Sequence, residues 1–467
     1  MDFTTYIFWV IAISGISIIY IISYLLRAND KLRQTSIKIA LSFLSLSLLY
    51  TASITTLLIF ALVTMAAYTG CFFGQNLTAL SKKILLGCLI ILLLLPLLYY
   101  KYANFALNNV AGYQFDTLKD LVIPIGISFY TFQIIAFCID TLKNNHQIPR
   151  FIDFLNFCSF FPQIVAGPIE RRASLLPQMQ NLTWKFSADS YSKGIPYIIL
   201  GLYFKLVMAD NLSVGMITAY AGENAFQIWV NNILFSFRIY YDFAGYGLTA
   251  YGIAKCLGVN LMMNFMSPYT CCNVSDFWRK WHISLTLWFR DYIYFSLGGS
   301  RTKFWMFNIL IMFLVSGIWH GAGWNFIIWG GLAGITMIIH RYFSKTHIPI
   351  PSFISWGLTF GVMVFIWMFF YETNMDIVMK NVRVVFTPSC YNISEFIELV
   401  QDTAYSSATW IVFIPIAFIM ITFEYLSRKK HEDPYKIFLN PRACSILLIL
   451  ICILHCEKAS EFIYFAF

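Results

Sequence analysis

Long apolar runs alternate with short polar breaks along this chain, and their spacing predicts membrane-spanning helices. Tyr6–Leu26 is one unbroken apolar stretch, and Ile39–Phe73 has room for two spans with a turn near Ser53, since a helix needs roughly 20 apolar residues to cross a bilayer core. Ile84–Tyr100 is the clearest span, and further runs cover Phe304–Ile318, Phe326–Ile339, Ile354–Phe370, Trp410–Tyr425 and Ala443–Cys456. Between Leu121 and Arg301 the pattern is broken by Pro124, Pro162, Gly167-Pro168, Glu170-Arg171-Arg172, Asp242, Pro268 and Asp276. Irregular or charged backbone survives at membrane depth only where protein buries it or a watery cavity meets it. Function is therefore expected in this broken stretch. The pattern predicts one all-α domain over residues 1–467, a polytopic membrane protein with about ten to eleven transmembrane helices plus re-entrant or interfacial ones.

Composition sharpens this picture. The 467 residues are 59% hydrophobic and only 12% charged, whereas soluble domains carry about 25% charge, so a water-soluble globule is excluded. The net charge of +9 sits in short clusters between apolar runs, as in cytoplasmic loops, and does not point to nucleic acid. Arg27, Lys31, Arg33 and Lys38, then Lys82 and Lys83, then Arg428, Lys429, Lys430 and His431 mark such loops. The N-terminus is accordingly expected outside, and the first run is too long for a cleavable signal. Asn440-Pro441 starts a last helix that delivers Phe462-Ile463-Tyr464-Phe465-Ala466-Phe467 to the outer face. The eleven cysteines show no CxxC spacing and fall mostly in apolar stretches, which reads as buried thiols. No metal or tightly bound cofactor is expected.

Of seven histidines, His146, His347 and His431 lie in polar loops, while His340 and His455 close apolar runs. The other two sit in denser settings. His282 belongs to Ser275-Asp276-Phe277-Trp278-Arg279-Lys280-Trp281-His282-Ile283-Ser284. There Ser275 or Asp276 is placed to cap a helix, and Asp276 meets Arg279 and Lys280 at i+3 and i+4. Taken alone, this segment reads equally as an interfacial Trp/Arg helix. His320 belongs to Ser316-Gly317-Ile318-Trp319-His320-Gly321-Ala322-Gly323-Trp324, where the glycines leave room for a substrate or another backbone. An ionisable side chain at such depth is a functional candidate, and a neutral imidazole is well suited to take a proton near neutral pH.

The run DFWRKWHISLTLWFRDYIYFSLGGSR from Asp276 and the run SGIWHGAGWNFIIW from Ser316 resemble the signature of the membrane-bound O-acyltransferase family. The branch they resemble acetylates bacterial polysaccharides such as alginate. Pro124–Phe132 with Asp140, FPQIVAGPIER over 161–171, YDFAGYG over 241–247, and Asn264-Phe265 ahead of Pro268-Tyr269 extend the resemblance from about residue 120 to 340, in matching order. One departure is Phe369-Phe370-Tyr371-Glu372, where an arginine is expected after the aromatic pair.

The resemblance implies a ring of helices around a thin centre, with His320 as the family's catalytic histidine and His282 as its second polar position. It implies that His320 acts as general base and that His282 positions or polarises the acyl carbonyl. Asp276, Trp281, Trp319 and Trp324 become candidates for a narrow substrate tunnel. Arg279, Arg290 and Arg301 become candidates for donor phosphates, although lipid headgroups suit each singly. FIYFAF resembles a C-terminal aromatic motif of bacterial relatives, which would make Tyr464 a covalent acyl carrier; the alternative is an aromatic belt residue at a span end. The implied donor is acetyl-CoA or a carrier-bound acyl thioester on the cytoplasmic side. The implied partner is an extracytoplasmic acetyltransferase or polysaccharide-modifying protein, and the implied location is the bacterial cytoplasmic membrane. D-alanyl transfer to teichoic acid shares the same histidine. A transporter or flippase and a structural scaffold are the readings from outside the enzymes.

Overall fold

The computed structural model describes residues 3–463 except 114, 119–120, 185, 217–222, 347, 403 and 457–461, with no side chain described at 117, 402 or 404–407. All regular structure among the described residues is helical. The chain runs through α1 (Tyr6–Leu25), α2 (Asp30–Ala52), α3 (Ile54–Gly74), α4 (Ala79–Leu97), α5 (Ile127–Lys143), α6 (Phe151–Ser159), α7 (Arg172–Gln180) and α8 (Ala188–Tyr203). It continues through α9 (Asp210–Gly215), α10 (Ala225–Cys256), α11 (Val274–Lys280), α12 (Ile283–Phe289), α13 (Trp305–His320) and α14 (Trp324–Phe343). Then follow α15 (Ser352–Tyr371), α16 (Met375–Val385), α17 (Ile393–Asp402), α18 (Ala404–His431) and α19 (Pro441–Leu454). Among the described residues, 8 helices are long and apolar enough to cross a membrane, and α13 and α19 are shorter apolar helices. This is the all-α, polytopic membrane architecture that the hydropathy predicts.

Helix boundaries follow from local chemistry. Ser53 ends α2 and caps α3, its Oγ accepting from the Thr56 N–H at 2.9 Å, so the predicted turn is a shared cap. Asn440 caps α19, accepting from the Ala443 N–H at 3.0 Å, with Pro441 in the first turn.

The chain forms two compact units, one of Met1–Ile198 with Thr249–Met262 and one of Ile199–Leu248 with Met263–Phe467. In the first, Lys38 is not a loop residue. It is buried in α2, where its Nζ meets Asp153 Oδ1 at 2.6 Å and donates to the Gln180 carbonyl at 2.8 Å. Asn156 Nδ2 in turn donates to the Lys38 carbonyl at 2.9 Å. An ammonium on that helix face needs a carboxylate and a carbonyl because water is excluded. Arg33 is also buried and pairs with Asp30 at 2.7 Å, so only Arg27 and Lys31 of that basic group are exposed.

The FPQIVAGPIER segment is buried, irregular backbone. Gln163 Nε2 reaches Gln133 Oε1 at 3.2 Å, and a Cβ on Gly167 would fall 2.4 Å from Gln163 Cα. Glu170 is wholly buried and its Oε1 accepts the Met262 N–H at 2.6 Å. Burial pushes its carboxyl up to about 7, against the opposing pull of that N–H.

In the second unit α13 and α14 touch through their backbones. A Cβ on Gly317 would lie 2.2 Å from the Phe326 carbonyl oxygen, and one on Gly330 would lie 2.4 Å from that of Phe313. The space left by Gly317 is therefore filled by the partner helix, in the close-approach manner of small residues between membrane helices.

Two predictions concern this frame. Lys38→Met strands a buried carboxylate and should cost about 3–5 kcal/mol, whereas Lys38→Met with Asp153→Leu should recover most of it, as read by thermal unfolding in detergent. An acid whose pKa is raised on folding stabilises most below its unfolded value and loses that contribution as pH climbs through the folded one. Wild type should thus lose stability between the ordinary carboxyl value of 4.5 and about 7. Glu170→Gln should flatten that slope in the same melts; an unchanged slope would refute the assignment.

Candidate functional site

His320 is the last residue of α13, and Gly321 and Gly323 carry the chain into α14. A Cβ on Gly321 would strike the Phe326 ring at 2.0 Å, so this turn accepts no larger residue without repacking. The His320 imidazole is 4% exposed. Three rings pack edge-on around it: Trp319 at 4.9 Å, Trp329 at 5.0 Å and Phe370 at 5.1 Å. Phe370 comes from the segment that lacks the expected arginine, which nonetheless supplies a wall of the site.

His282 arises differently. It stands between α11 and α12 with φ 43° and ψ 56°, a left-handed conformation that costs a residue with a Cβ about 1–2 kcal/mol. Asn264 holds it there. The Asn264 carbonyl accepts the Ile283 N–H at 2.9 Å, and its Oδ1 accepts the Ser284 N–H at 3.3 Å. Met266 N–H also donates to the Lys280 carbonyl at 3.1 Å. Further along, the Tyr435 hydroxyl donates to the Phe265 carbonyl at 3.1 Å and the Tyr240 hydroxyl to Glu424 Oε2 at 2.8 Å. Strain that the surroundings over-determine in this way is a mark of functional backbone. The imidazole packs on Phe243 at 4.6 Å and Trp319 at 6.0 Å. Burial lowers its pKa to about 3, so it is neutral at physiological pH.

The two histidines line one small cavity of about 30 Å³, with Trp278, Trp281, Thr286, Ser316 and Trp329 among its walls. That volume is about the share one molecule takes in liquid water. The indole N–H groups of Trp278 and Trp329 are buried and make no hydrogen bond within the described protein. Beside this cavity lies a wider pocket of about 410 Å³ that shares Trp278, Thr286, Met312 and Phe313 with it. Arg279, Arg290, His340 and Arg341 also line the wider pocket. A narrow, aromatic, two-imidazole chamber thus adjoins a basic antechamber.

The sequence-predicted residues divide accordingly. His320, His282 and Trp281 line the chamber, and Trp319 packs on both imidazoles. Arg279 and Arg290 line the antechamber, engaged with Asp276 at 3.4 Å and Asp291 at 2.8 Å. Asp276 lines neither space, and the cap of α11 is Asn273, which accepts the Asp276 N–H at 2.8 Å. Trp324 is 51% exposed at the start of α14 and lines neither space. Arg301 is exposed in a short turn. Tyr464 lies outside the described residues. Sequence reasoning did not single out Trp329, Phe370 or Phe243. Five residues separate Trp329 from Trp324, about 140° around a helix of 3.6 residues per turn, so the pattern could have told a buried face from an exposed one.

Comparison with known proteins matches this architecture. The model of the membrane-bound O-acyltransferase family matches residues 35–376. The peptidoglycan O-acetyltransferase of Helicobacter pylori is 32% identical over 429 residues, which cover 79% of this chain and 80% of that protein. The probable alginate O-acetylase AlgI of Pseudomonas aeruginosa is 34% identical over 287 residues, covering 59% of this chain and 54% of that protein. The teichoic acid D-alanyltransferase of Bacillus subtilis is 30% identical over 244 residues, covering 48% of this chain and 61% of that protein. The chain belongs to the membrane-bound O-acyltransferase family and is a membrane-embedded O-acyltransferase.

Proposed function

We propose that this enzyme moves an acetyl group from a cytoplasmic thioester to the extracytoplasmic side of a bacterial cytoplasmic membrane, for O-acetylation of an envelope or exported polysaccharide. The observation that supports this most is the shared chamber: two buried imidazoles from separate motifs face one space, next to a basic antechamber. The acyl thioester, acetyl-CoA or carrier-bound, enters by the antechamber. Arg279 and Arg290 offer cationic contacts for its phosphates.

In this reading His320 removes the proton from an attacking hydroxyl, which forms the new C–O bond at the acyl carbon. The C–S bond breaks and the departing thiolate takes the proton back from the imidazolium. His282, too weakly basic to serve as the base, contributes hydrogen bonding to the carbonyl. The buried N–H groups of Trp278 and Trp329 are further donors for a developing oxyanion. The attacking hydroxyl is that of Tyr464. Its aryl ester then yields to an acceptor hydroxyl presented by an extracytoplasmic transferase, which forms the polysaccharide ester and regenerates the phenol.

Peptidoglycan is the first polymer to assay, because the relative named for it matches 79% of the chain, against 48% for the alanyl transferase. His320→Ala at normal membrane level should lower ester acetate on the envelope polymer by about a thousandfold, the scale of losing a general base with its ordering role. Tyr464→Phe should do the same if the acyl group passes through that phenol. Normal acetate in Tyr464→Phe would reduce the motif to an anchor. Unchanged acetate in His320→Ala with lost D-alanine ester would move the assignment to alanyl transfer. Arg279→Gln with Arg290→Gln should raise KM for the donor about tenfold with kcat little changed, as expected when uniform binding is removed; a fall in kcat alone would contradict the antechamber role.

A further inference from the structure

A buried ionic cluster lies in the second unit, outside the residues assigned to transfer. Helix α8 passes into a π-helical stretch over Phe204–Ala209, which sets Lys205 against Asp210 and against Asp242 of α10. Lys205 Nζ lies 2.8 Å from Asp210 Oδ1 and 2.9 Å from Asp242 Oδ1, and these side chains are 8%, 0% and 1% exposed. Two carboxylates therefore share one ammonium. A buried carboxylate has two oxygens to satisfy, and the ammonium meets only Oδ1 of Asp242. Asp242 finds its next donor 221 residues away: Oδ2 accepts the backbone N–H of Ile463 at 2.7 Å.

Other contacts bring the chain end to the same place. Asn211 Nδ2 donates to the Leu454 carbonyl at 2.8 Å, and Cys456 N–H donates to the Leu206 carbonyl at 3.3 Å. Phe462 packs on Tyr246 at 5.0 Å and on Phe243 at 5.8 Å, and Phe243 is the ring 4.6 Å from the His282 imidazole. One residue of the terminal aromatic motif is thus bonded to the ionic cluster, and its neighbour stands one ring from the chamber.

We infer that Asp242, oriented by Lys205, is a positioning residue that docks the terminal aromatic segment through the Ile463 N–H and seats it against the Phe243–His282 wall for acyl transfer. The docking itself stands on geometry alone; its consequence for transfer rests on the acyl-carrier reading above. Asparagine at 242 has one acceptor oxygen where aspartate has two, so its amide N–H₂ must face either the ammonium or the Ile463 N–H. Asp210→Asn changes the formal charge equally but leaves the acceptor of Ile463 in place.

The test uses the full-length protein in native membranes with p-benzoylphenylalanine at position 462, scoring the photo-crosslink to α10. Asp242→Asn should lower crosslinking and ester acetate by about tenfold each, the scale of one charge-assisted hydrogen bond. Asp210→Asn, which keeps the acceptor of the Ile463 N–H, should lower both clearly less than Asp242→Asn does. Ile463→Pro, which deletes the donor and leaves the cluster intact, should reproduce the Asp242→Asn loss even if Asp242→Asn itself accumulates poorly. Equal crosslink loss in Asp210→Asn, or retained crosslinking in Ile463→Pro, would overturn the docking. Lost crosslinking with normal acetate would overturn its role in transfer. If His320→Ala leaves every ester unchanged, the acyl-transfer reading fails on its own, and the crosslink still decides the docking.

Discussion

A charged group that this chain buries needs a partner inside the protein, because neither lipid nor a dry core supplies one. That constraint explains where its few charges go. Lys38 meets Asp153, Glu170 takes the Met262 N–H, Glu424 takes the Tyr240 hydroxyl, and Lys205 meets Asp210 and Asp242. Apart from the local Lys205–Asp210 contact, each such bond joins segments far apart in sequence, so a small set of polar side chains fixes elements whose apolar surfaces carry little information about register.

The site uses the same constraint twice. Around His320 the glycines let α13 and α14 meet backbone to backbone, and rings enclose the imidazole at the helix end. Around His282 the backbone is held in the left-handed region by Asn264 and by the hydroxyl–carbonyl contacts behind Phe265. Different local structures thus bring two imidazoles to one chamber, and their settings suit different tasks. In the proposed mechanism the low basicity of His282 suits hydrogen bonding, and proton transfer falls to His320.

Much of this was legible in the sequence where the signal is local. The turn at Ser53, the start of α19 at Asn440-Pro441, and the two histidine motifs are short-range patterns, and the structure reproduces the helices they imply. Lys38 was misread as a loop charge because only the tertiary fold shows that its helix face meets Asp153. Asp276 lost the cap to Asn273, since either residue suits that position on propensity alone. Trp324 was chosen over Trp329 within one aromatic motif because helical phase was not applied to the pair. Nothing in the sequence pairs Asp242 with Ile463, because a backbone N–H has no residue-type signature.

That last bond carries an argument about how a covalent carrier has to be held. If Tyr464 accepts an acyl group, its hydroxyl must stay uncommitted to structure, and the segment must take the same seat before and after acylation. Side-chain anchoring through the carrier residue would fail the first requirement. A backbone N–H one residue earlier, bound to a carboxylate that is itself fixed by an ammonium, meets both. The Phe462 ring then adds directional packing against Phe243 and Tyr246. The Ile463 N–H gives Asp242 Oδ2 a donor beside the Lys205 ammonium on Oδ1, so docking satisfies that carboxylate as well as the segment. Within the YDFAGYG run, the aspartate accepts the Ile463 N–H while the phenylalanine touches both Phe462 and His282.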